Sequence, residues 1–235
     1  MKIIKETLNI DSNGLLIHFD IYKDNKVDHY KGLIQIAHGM VEHKGNYSYI
    51  ANRLSKVGYI VAINDHRGHG DSIGGDIFLG EMGENGFELA MQDMYNLTLH
   101  LKNTYKPEKF ILIGHSMGSL LSRRYLQEYE KEIDMLILCG SPSPYFGVSF
   151  GILFLKICKT FGFNKISKYL GHRFSFLTFN AKYKHIDNLN DGLPSGRLWT
   201  NRDNNEVIKH IKDDKQNFTF TTNSFIHLLC GIKKV

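Results

Sequence analysis

The sequence predicts an α/β fold in which helices cover a mainly parallel central sheet. Three observations predict it. Over residues 3–142, short β-branched runs alternate with segments whose apolar residues recur at helical spacing, as in successive strand–helix units. Residues 32–37 are almost continuously apolar, which is typical of a strand buried on both faces. From residue 143 the alternation stops and phenylalanines accumulate, which predicts an insertion.

The individual elements follow from these patterns in chain order. Residues 3–9 and 15–21 predict an opening hairpin, because Asp11-Ser12-Asn13-Gly14 between them is a turn sequence. A helix that begins near Tyr47 is predicted to end at Gly58, and a second helix closes near Pro107, because glycine and proline interrupt helices. The remaining predicted elements are strands at 32–37, 59–63, 109–113 and 135–138 and helices at 87–101, 117–130 and 218–229.

Composition and charge exclude several classes of function. The net charge is +5, and the Lys and Arg residues are scattered among Asp and Glu, so the sequence predicts no nucleic-acid partner. Cys139, Cys158 and Cys230 form no Cys-x-x-Cys pair, which predicts buried free thiols and no structural zinc. The N-terminus mixes charged with apolar residues, which predicts a cytosolic protein. The apolar stretch 148–155 is too short to span a bilayer, although it can touch a membrane surface.

The motif Gly114-His115-Ser116-Met117-Gly118 lies between a predicted strand and a predicted helix. In this context the serine occupies a tight strand-to-helix turn that exposes its hydroxyl, and glycines on both sides allow close backbone passage. The N-terminal amides of the helix point toward developing negative charge. We therefore predict that Ser116 is a nucleophile and that Gly114, His115 and Gly118 support the site. The alternative is a turn that matches the five-residue pattern by chance.

A second glycine-containing loop, His38-Gly39-Met40, follows the buried strand at 32–37. A backbone N–H from such a loop, together with the N–H of the residue after the nucleophile, binds the oxyanion in serine hydrolases. Met40 and Met117 are therefore the predicted oxyanion donors, and His38 and Gly39 support the loop. Taken alone, this loop is equally explained as a glycine-permitted turn.

Residues 65–72, Asp-His-Arg-Gly-His-Gly-Asp-Ser, contain two histidines at a spacing that is compatible with metal binding. No third or fourth ligand is evident nearby in the sequence, and the glycines favour a shaped loop. We predict that this loop supports the floor of the site and that the protein needs no metal or organic cofactor.

Together, residues 38–43, 65–72 and 114–118 resemble the monoacylglycerol lipase and lysophospholipase branch of the α/β-hydrolases, a group often described as serine aminopeptidase S33-like. The segment Leu198–Asp203 with Val207 is similar to a late part of the lid in these enzymes. The resemblance implies a hydrolase core over residues 1–142, a lid over 143–214 and the start of a returning core helix over 215–235. It also implies that two further strands, which carry the triad Asp and His, are missing after this helix.

Residues within the chain could substitute for the missing acid and base. The histidines after Ser116 are His172, His185, His210 and His227. The chain order Ser–Asp–His can be drawn as Ser116, Asp203, His210 or as Ser116, Asp214, His227, but each pair lies in a lid or helix segment and not at a strand end. A surface or lid histidine is the simpler interpretation of each.

The resemblance implies a serine hydrolase of lipid-like esters, such as monoglycerides or lysophospholipids. The aromatic insertion agrees with an acyl-binding tunnel, although a lid core packed on itself has the same composition. A second hypothesis is that the chain is catalytically inactive, either as a truncated hydrolase or as a binding remnant, because triad members act as a unit.

Overall fold

The structure is a computed structural model that describes residues 3–143, 147–171 and 200–235. Its strands are β1 (Ile3–Ser12), β2 (Leu15–Asp24), β3 (Gly32–Ala37), β4 (Tyr59–Asn64), β5 (Phe110–His115) and β6 (Met135–Cys139). Its helices are α1 (Ser48–Lys56), α2 (Gly86–Tyr105), α3 (Met117–Tyr129), α4 (Val148–Thr160), helical residues 164–171 (α5), α6 (Asn204–Lys212) and α7 (Thr222–Lys234). Short 3-10 turns lie at Lys44–Tyr47, Glu130–Glu132 and Asp214–Gln216.

The six strands form one sheet in the order β1-β2-β4-β3-β5-β6. The β1–β2 and β2–β4 pairs are antiparallel, and the other pairs are parallel. Ala37 of β3 is in register with Gly114 of β5, and His115 with Cys139 of β6. Because parallel strands end at the same edge of a sheet, this register brings the loop after β3 beside the turn after β5. The predicted mainly parallel α/β sheet is confirmed.

Apolar side chains fill both faces of this sheet. On one face α2, α3 and α7 enclose a large core that includes Met94, Leu121, Tyr125 and Phe225. On the other face α1 places Ala51 against a smaller apolar cluster from the strands. Strands such as β3 bury every residue, as the continuous apolar run predicts.

The predicted elements agree with the observed ones to within a few residues, with two differences. The last helix begins at Thr222 because the Thr221 side chain accepts the N–H of Ser224 and caps it. Helices α4, α5 and α6 lie where the sequence suggested irregular structure. The period of α4 is hidden in the sequence because its outward residues, such as Phe150, are as apolar as the buried Val148 and Leu155.

The three cysteines are free. Cys158 is buried, but Cys139 is exposed at the end of β6, so the prediction that all three thiols are buried is wrong. Cys139 is exposed because β6 is an edge strand in the described sheet.

Within the described ranges, no helix is long and apolar enough to cross a membrane. The cytosolic location stays a prediction. So does the division into core, lid and returning helix, because residues 144–146 and 172–199 lie outside the described chain.

Candidate active site

Ser116 lies between β5 and α3 in a backbone conformation that non-glycine residues rarely adopt, with φ of 50° and ψ of −115°. Its N–H donates to the Cys139 carbonyl at 2.9 Å, and its own carbonyl accepts the N–H of Ser119 at 2.9 Å. These bonds hold a strained turn whose side chain is half-buried. Strained backbone conformations of this kind are frequent at functional sites, where the surrounding structure prevents them from relaxing.

The two glycines of the motif allow this turn to form. A Cβ atom on Gly114 would lie 2.5 Å from Ser122 Oγ and 2.6 Å from the Gly118 carbonyl oxygen. A Cβ on Gly118 would meet the Ala37 carbonyl and lie 2.6 Å from the His38 carbonyl oxygen. Glycine at position 118 therefore lets the start of α3 pack directly on the loop after β3.

That loop, residues 38–42, is held by hydrogen bonds from both its backbone and its side chains. His38 Nε2 accepts the N–H of His66 at 3.0 Å, so its Nδ1–H donates to the Gly39 carbonyl at 2.7 Å. The Gly39 N–H donates to Glu42 Oε2 at 2.8 Å. Val41 is buried with φ of 60°. Within the described chain, the N–H groups of Met40 and Met117 donate to no other residue, which leaves both available to a ligand.

A cluster of Glu42, Tyr47 and His115 joins this loop to the Ser116 turn; His115 is a predicted supporting residue, whereas Tyr47 has no predicted role in the site. Tyr47 Oη lies 2.6 Å from Glu42 Oε2 and 3.0 Å from His115 Nδ1. His115 Nδ1 is also 3.4 Å from Glu42 Oε1. The sequence showed Glu42 only as part of the family resemblance, and nothing marked its link to His115, which is 73 residues away along the chain.

The histidines of the loop 65–72 pack against His38 in the protein interior. The ring centroids of His38 and His66 are 4.2 Å apart, and those of His38 and His69 are 5.1 Å apart. Burial lowers the pKa of His66 to about 3 and that of His69 to about 4. Among the described residues, no group of three or more His, Cys, Asp or Glu side chains is arranged to hold a metal ion.

Two buried ion pairs, Arg67–Asp93 and Lys44–Asp65, and a third to the partly exposed Asp71 hold this loop to the core. Arg67 makes a bidentate bond to Asp93 of α2, with N–O distances of 2.7 and 2.8 Å. Lys44 bonds Asp65 and Asp71, each at 2.6 Å. These contacts fit the predicted role of the loop as a support for the site floor.

The structure brings no described histidine to the Ser116 hydroxyl. Within residues 3–143, 147–171 and 200–235, this hydroxyl makes no hydrogen bond. His227 Nε2 instead accepts the N–H of Asn85 at 3.2 Å and lies 3.5 Å from Glu84. The Asp203 carboxylate caps α6 by accepting the N–H of Asn205. His172 and His185, also considered as bases, lie outside the described residues.

A cavity of about 680 Å³ opens beside the loop 38–42. Met40 and His115, the residue before Ser116, line this cavity together with Lys209, His210 and Asp213. His43 Nε2 contacts Asp213 Oδ2 at 2.8 Å and thereby fastens the segment after α6 to this wall. His210 thus lies on the cavity wall, and Asp214 lies in the neighbouring short turn.

The chain is similar to known proteins in both sequence and fold. The family model described as serine aminopeptidase, S33 (Hydrolase_4) matches residues 28–230. A carboxyl esterase from Bacillus coagulans, solved with glycerol, superimposes with a TM-score of 0.80 at 22% identity over 97% of this chain and 72% of that chain. At this identity the likeness shows the fold alone.

Two curated relatives match shorter segments. The chain is 31% identical over 127 residues to a protein of Mycolicibacterium smegmatis named monoacylglycerol lipase, covering 54% of this chain and 43% of the relative. It is 35% identical over 92 residues to a Monkeypox virus protein named monoglyceride lipase homolog, covering 39% of this chain and 32% of the relative. The chain thus spans less than half the length of either relative.

Proposed function

Because the chain belongs to the serine aminopeptidase S33 family of α/β-hydrolases, we propose that it hydrolyses carboxylic esters through an acyl-enzyme on Ser116. The observation that carries this proposal is the strained turn at Ser116, packed through Gly118 against the loop that contains Met40. A chance match to the five-residue pattern does not require either feature.

In the proposed mechanism, Ser116 Oγ attacks the ester carbonyl while a general base takes its proton. The N–H groups of Met40 and Met117 bind the oxyanion of the tetrahedral intermediate. The alcohol leaves with the proton, and water then releases the acyl group from Ser116. His227 is an unsuitable base because its Nε2 already accepts the Asn85 N–H and lies 3.5 Å from the Glu84 carboxylate.

We extend the proposal to lipid-like esters such as monoacylglycerols or lysophospholipids. The names of the curated relatives, monoacylglycerol lipase and monoglyceride lipase homolog, support it. The cavity beside Met40 and His115 is also lined by charged side chains such as Lys209 and Asp213, which suit the alcohol side of such an ester. An apolar acyl chain then lies on the side of the aromatic insertion.

The outer face of α4 supports a contact with the lipid surface. Phe150 is 77% exposed, and Leu153, Phe154 and Ile157 extend the same apolar surface beside exposed lysines. Apolar side chains flanked by lysine are typical of helices that lie in a membrane interface. Phe150→Asp should reduce turnover of a long-chain ester presented in anionic vesicles and leave turnover of a soluble short ester unchanged. Equal losses on both substrates would contradict the contact.

A second candidate function is a non-catalytic one, and the Ser116 hydroxyl favours it because it lacks a histidine partner within the described residues. One assay separates the two candidates. Wild type and Ser116→Ala are compared on p-nitrophenyl esters of short and long acyl chains, with covalent labelling by a fluorophosphonate in parallel. A serine mechanism requires turnover and labelling in wild type and loss of both in the variant. Equal turnover by the two proteins would exclude it.

A further inference from the structure

A continuous chain of hydrogen bonds joins the two backbone segments that carry the proposed oxyanion donors. It runs from the Gly39 N–H through Glu42 and Tyr47 to His115, the residue before Ser116. We propose that Glu42 and Tyr47 are positioning residues that hold Gly39 and His115 in place, so that the N–H groups of Met40 and Met117 face one oxyanion position. This inference rests on the proposed function, and it identifies Glu42 and Tyr47 as residues that affect the rate of ester hydrolysis.

The position of each proton in this series of hydrogen bonds follows from the number of donors that each side chain has. Tyr47 has one hydroxyl proton, and its 2.6 Å contact with the Glu42 carboxylate, an acceptor only, uses it. The Tyr47 oxygen must then accept from His115 Nδ1–H at 3.0 Å. His115 therefore carries a proton on Nδ1 in both of its charge states, and Nε2 is the atom that titrates. This assignment fixes the orientation of the ring beside Ser116.

The loop needs such an anchor because its backbone is strained. Val41, a β-branched residue, has φ of 60°, where the Cβ substituents clash with the backbone. The next residue, Glu42, folds back to accept the Gly39 N–H. Without this bond the segment 39–41 could relax to an ordinary conformation and rotate the Met40 N–H away. An oxyanion donor acts only when it lies at hydrogen-bond distance from the developing charge.

Charge strengthens the connection. Burial would raise the pKa of Glu42, but the nearby His115 ring and the hydrogen bonds from Tyr47 and the Gly39 N–H hold that pKa below its usual value. The Glu42 carboxylate, whose Oε1 lies 3.4 Å from His115 Nδ1, raises the pKa of His115 against the opposing effect of burial. The titratable groups that face this pair are Tyr47 on the short turn before α1, Cys139 at the end of β6, and His66 and His69 of the loop 65–72, which the Glu42 carboxylate also influences. When His115 is protonated, its imidazolium faces the Glu42 carboxylate and holds it in place.

The first test does not depend on activity. His115 is followed by NMR of histidine-labelled protein across pH, and its signals are assigned by their loss in His115→Asn. In Glu42→Gln the pKa of His115 should fall, and in Glu42→Ala the Gly39 amide should exchange with solvent at least about tenfold faster. Glu108→Gln removes an exposed carboxylate elsewhere and should change neither signal. An unchanged His115 titration in Glu42→Gln would overturn the proposal.

The second test is kinetic. Glu42→Ala should lower kcat for a short ester by about 100-fold with little change in KM, since the oxyanion contact forms only in the transition state. Glu42→Gln should retain most of kcat, because its amide oxygen still accepts the Gly39 N–H. Tyr47→Phe should lie between the two. A kcat for Glu42→Ala within about twofold of wild type would contradict the positioning role. If wild type and Ser116→Ala are equally inactive, the proposed function fails, and the NMR experiment alone decides the linkage.

Discussion

The two sides of the Ser116 turn differ in burial and in the number of polar contacts that stabilise them. Toward β3 and β4, the loops after these strands are largely buried, and their charged groups are paired, Lys44 with Asp65 and Arg67 with Asp93 of α2. Toward β6, apolar side chains face solvent, with Met135 53% and Ile137 39% exposed. Contacts within the described residues therefore fix the Ser116 turn and the loop 38–42, whereas the described part of the β6 side places no histidine against Ser116.

This comparison separates two requirements of a serine hydrolase. Strain at Ser116 and Val41 can be maintained only by a rigid surrounding structure, and the buried ion pairs of the loop 65–72 supply it. A general base needs an equally rigid position within hydrogen-bond reach of the nucleophile. We call the β3–β4 side of the Ser116 turn the rigid side and the β6 side the open side.

The largest effect is expected from the buried ion pair of Arg67 and Asp93. Arg67→Ala leaves the Asp93 carboxylate buried without its charged partner, so the free energy of unfolding should fall by about 3–5 kcal/mol. Urea denaturation followed by circular dichroism measures this change. Lys102→Gln removes a partly exposed ion pair with Glu132 and should cost about 0–1 kcal/mol. Similar losses in the two variants would contradict the rigid character of the β3–β4 side.

The next effect concerns acid sensitivity. Burial keeps the pKa of His66 at about 3 and that of His69 at about 4, below the value of 6.5 for an unperturbed histidine. Between pH 6.5 and these values the unfolded chain binds protons that the folded protein does not, so stability is full above pH 6.5 and falls as pH decreases. Each histidine contributes a slope of up to about 1.4 kcal/mol per pH unit.

Urea unfolding measured between pH 7 and pH 5 tests this linkage in a range where carboxylates contribute little. His69→Asn retains an N–H that can donate to the Arg67 carbonyl, as His69 Nδ1 does now, and should make the dependence on pH less steep. His29→Asn, at an exposed position, should reproduce the wild-type dependence. A slope in His69→Asn as steep as in wild type would show that this histidine is not neutral in the folded protein.

The sequence predicted the fold and the Ser116 turn well because both depend on local patterns. Apolar runs identify buried strands, and the glycines at 114 and 118 are required by contacts a few residues away or on the neighbouring strand. The Glu42–His115 and Arg67–Asp93 contacts were missed because each joins residues far apart in the chain, and their polar side chains resemble solvated surface residues. Helix α4 was missed because its exposed face is apolar like its buried face. The alternation of apolar and polar residues with a period of 3.6, which identifies a helix in a sequence, is therefore absent.

The smallest effect on stability, and the sharpest test of the open side, comes from the two edges of the sheet. Leu8 on β1 and Ile137 on β6 are both 39% exposed, but the β1 edge alternates with charged residues such as Lys5 and Glu6 whereas β6 is apolar throughout. Charged edge strands resist pairing with other chains, and apolar ones invite it. Ile137→Lys should therefore reduce concentration-dependent association in light scattering, and Leu8→Lys should not, with stability in both variants within about 0.5 kcal/mol of wild type. Equal association in the two variants would mean that β6 is no more prone to pair with another chain than β1. The rigid and open sides would then differ only in the contacts that they make with Ser116.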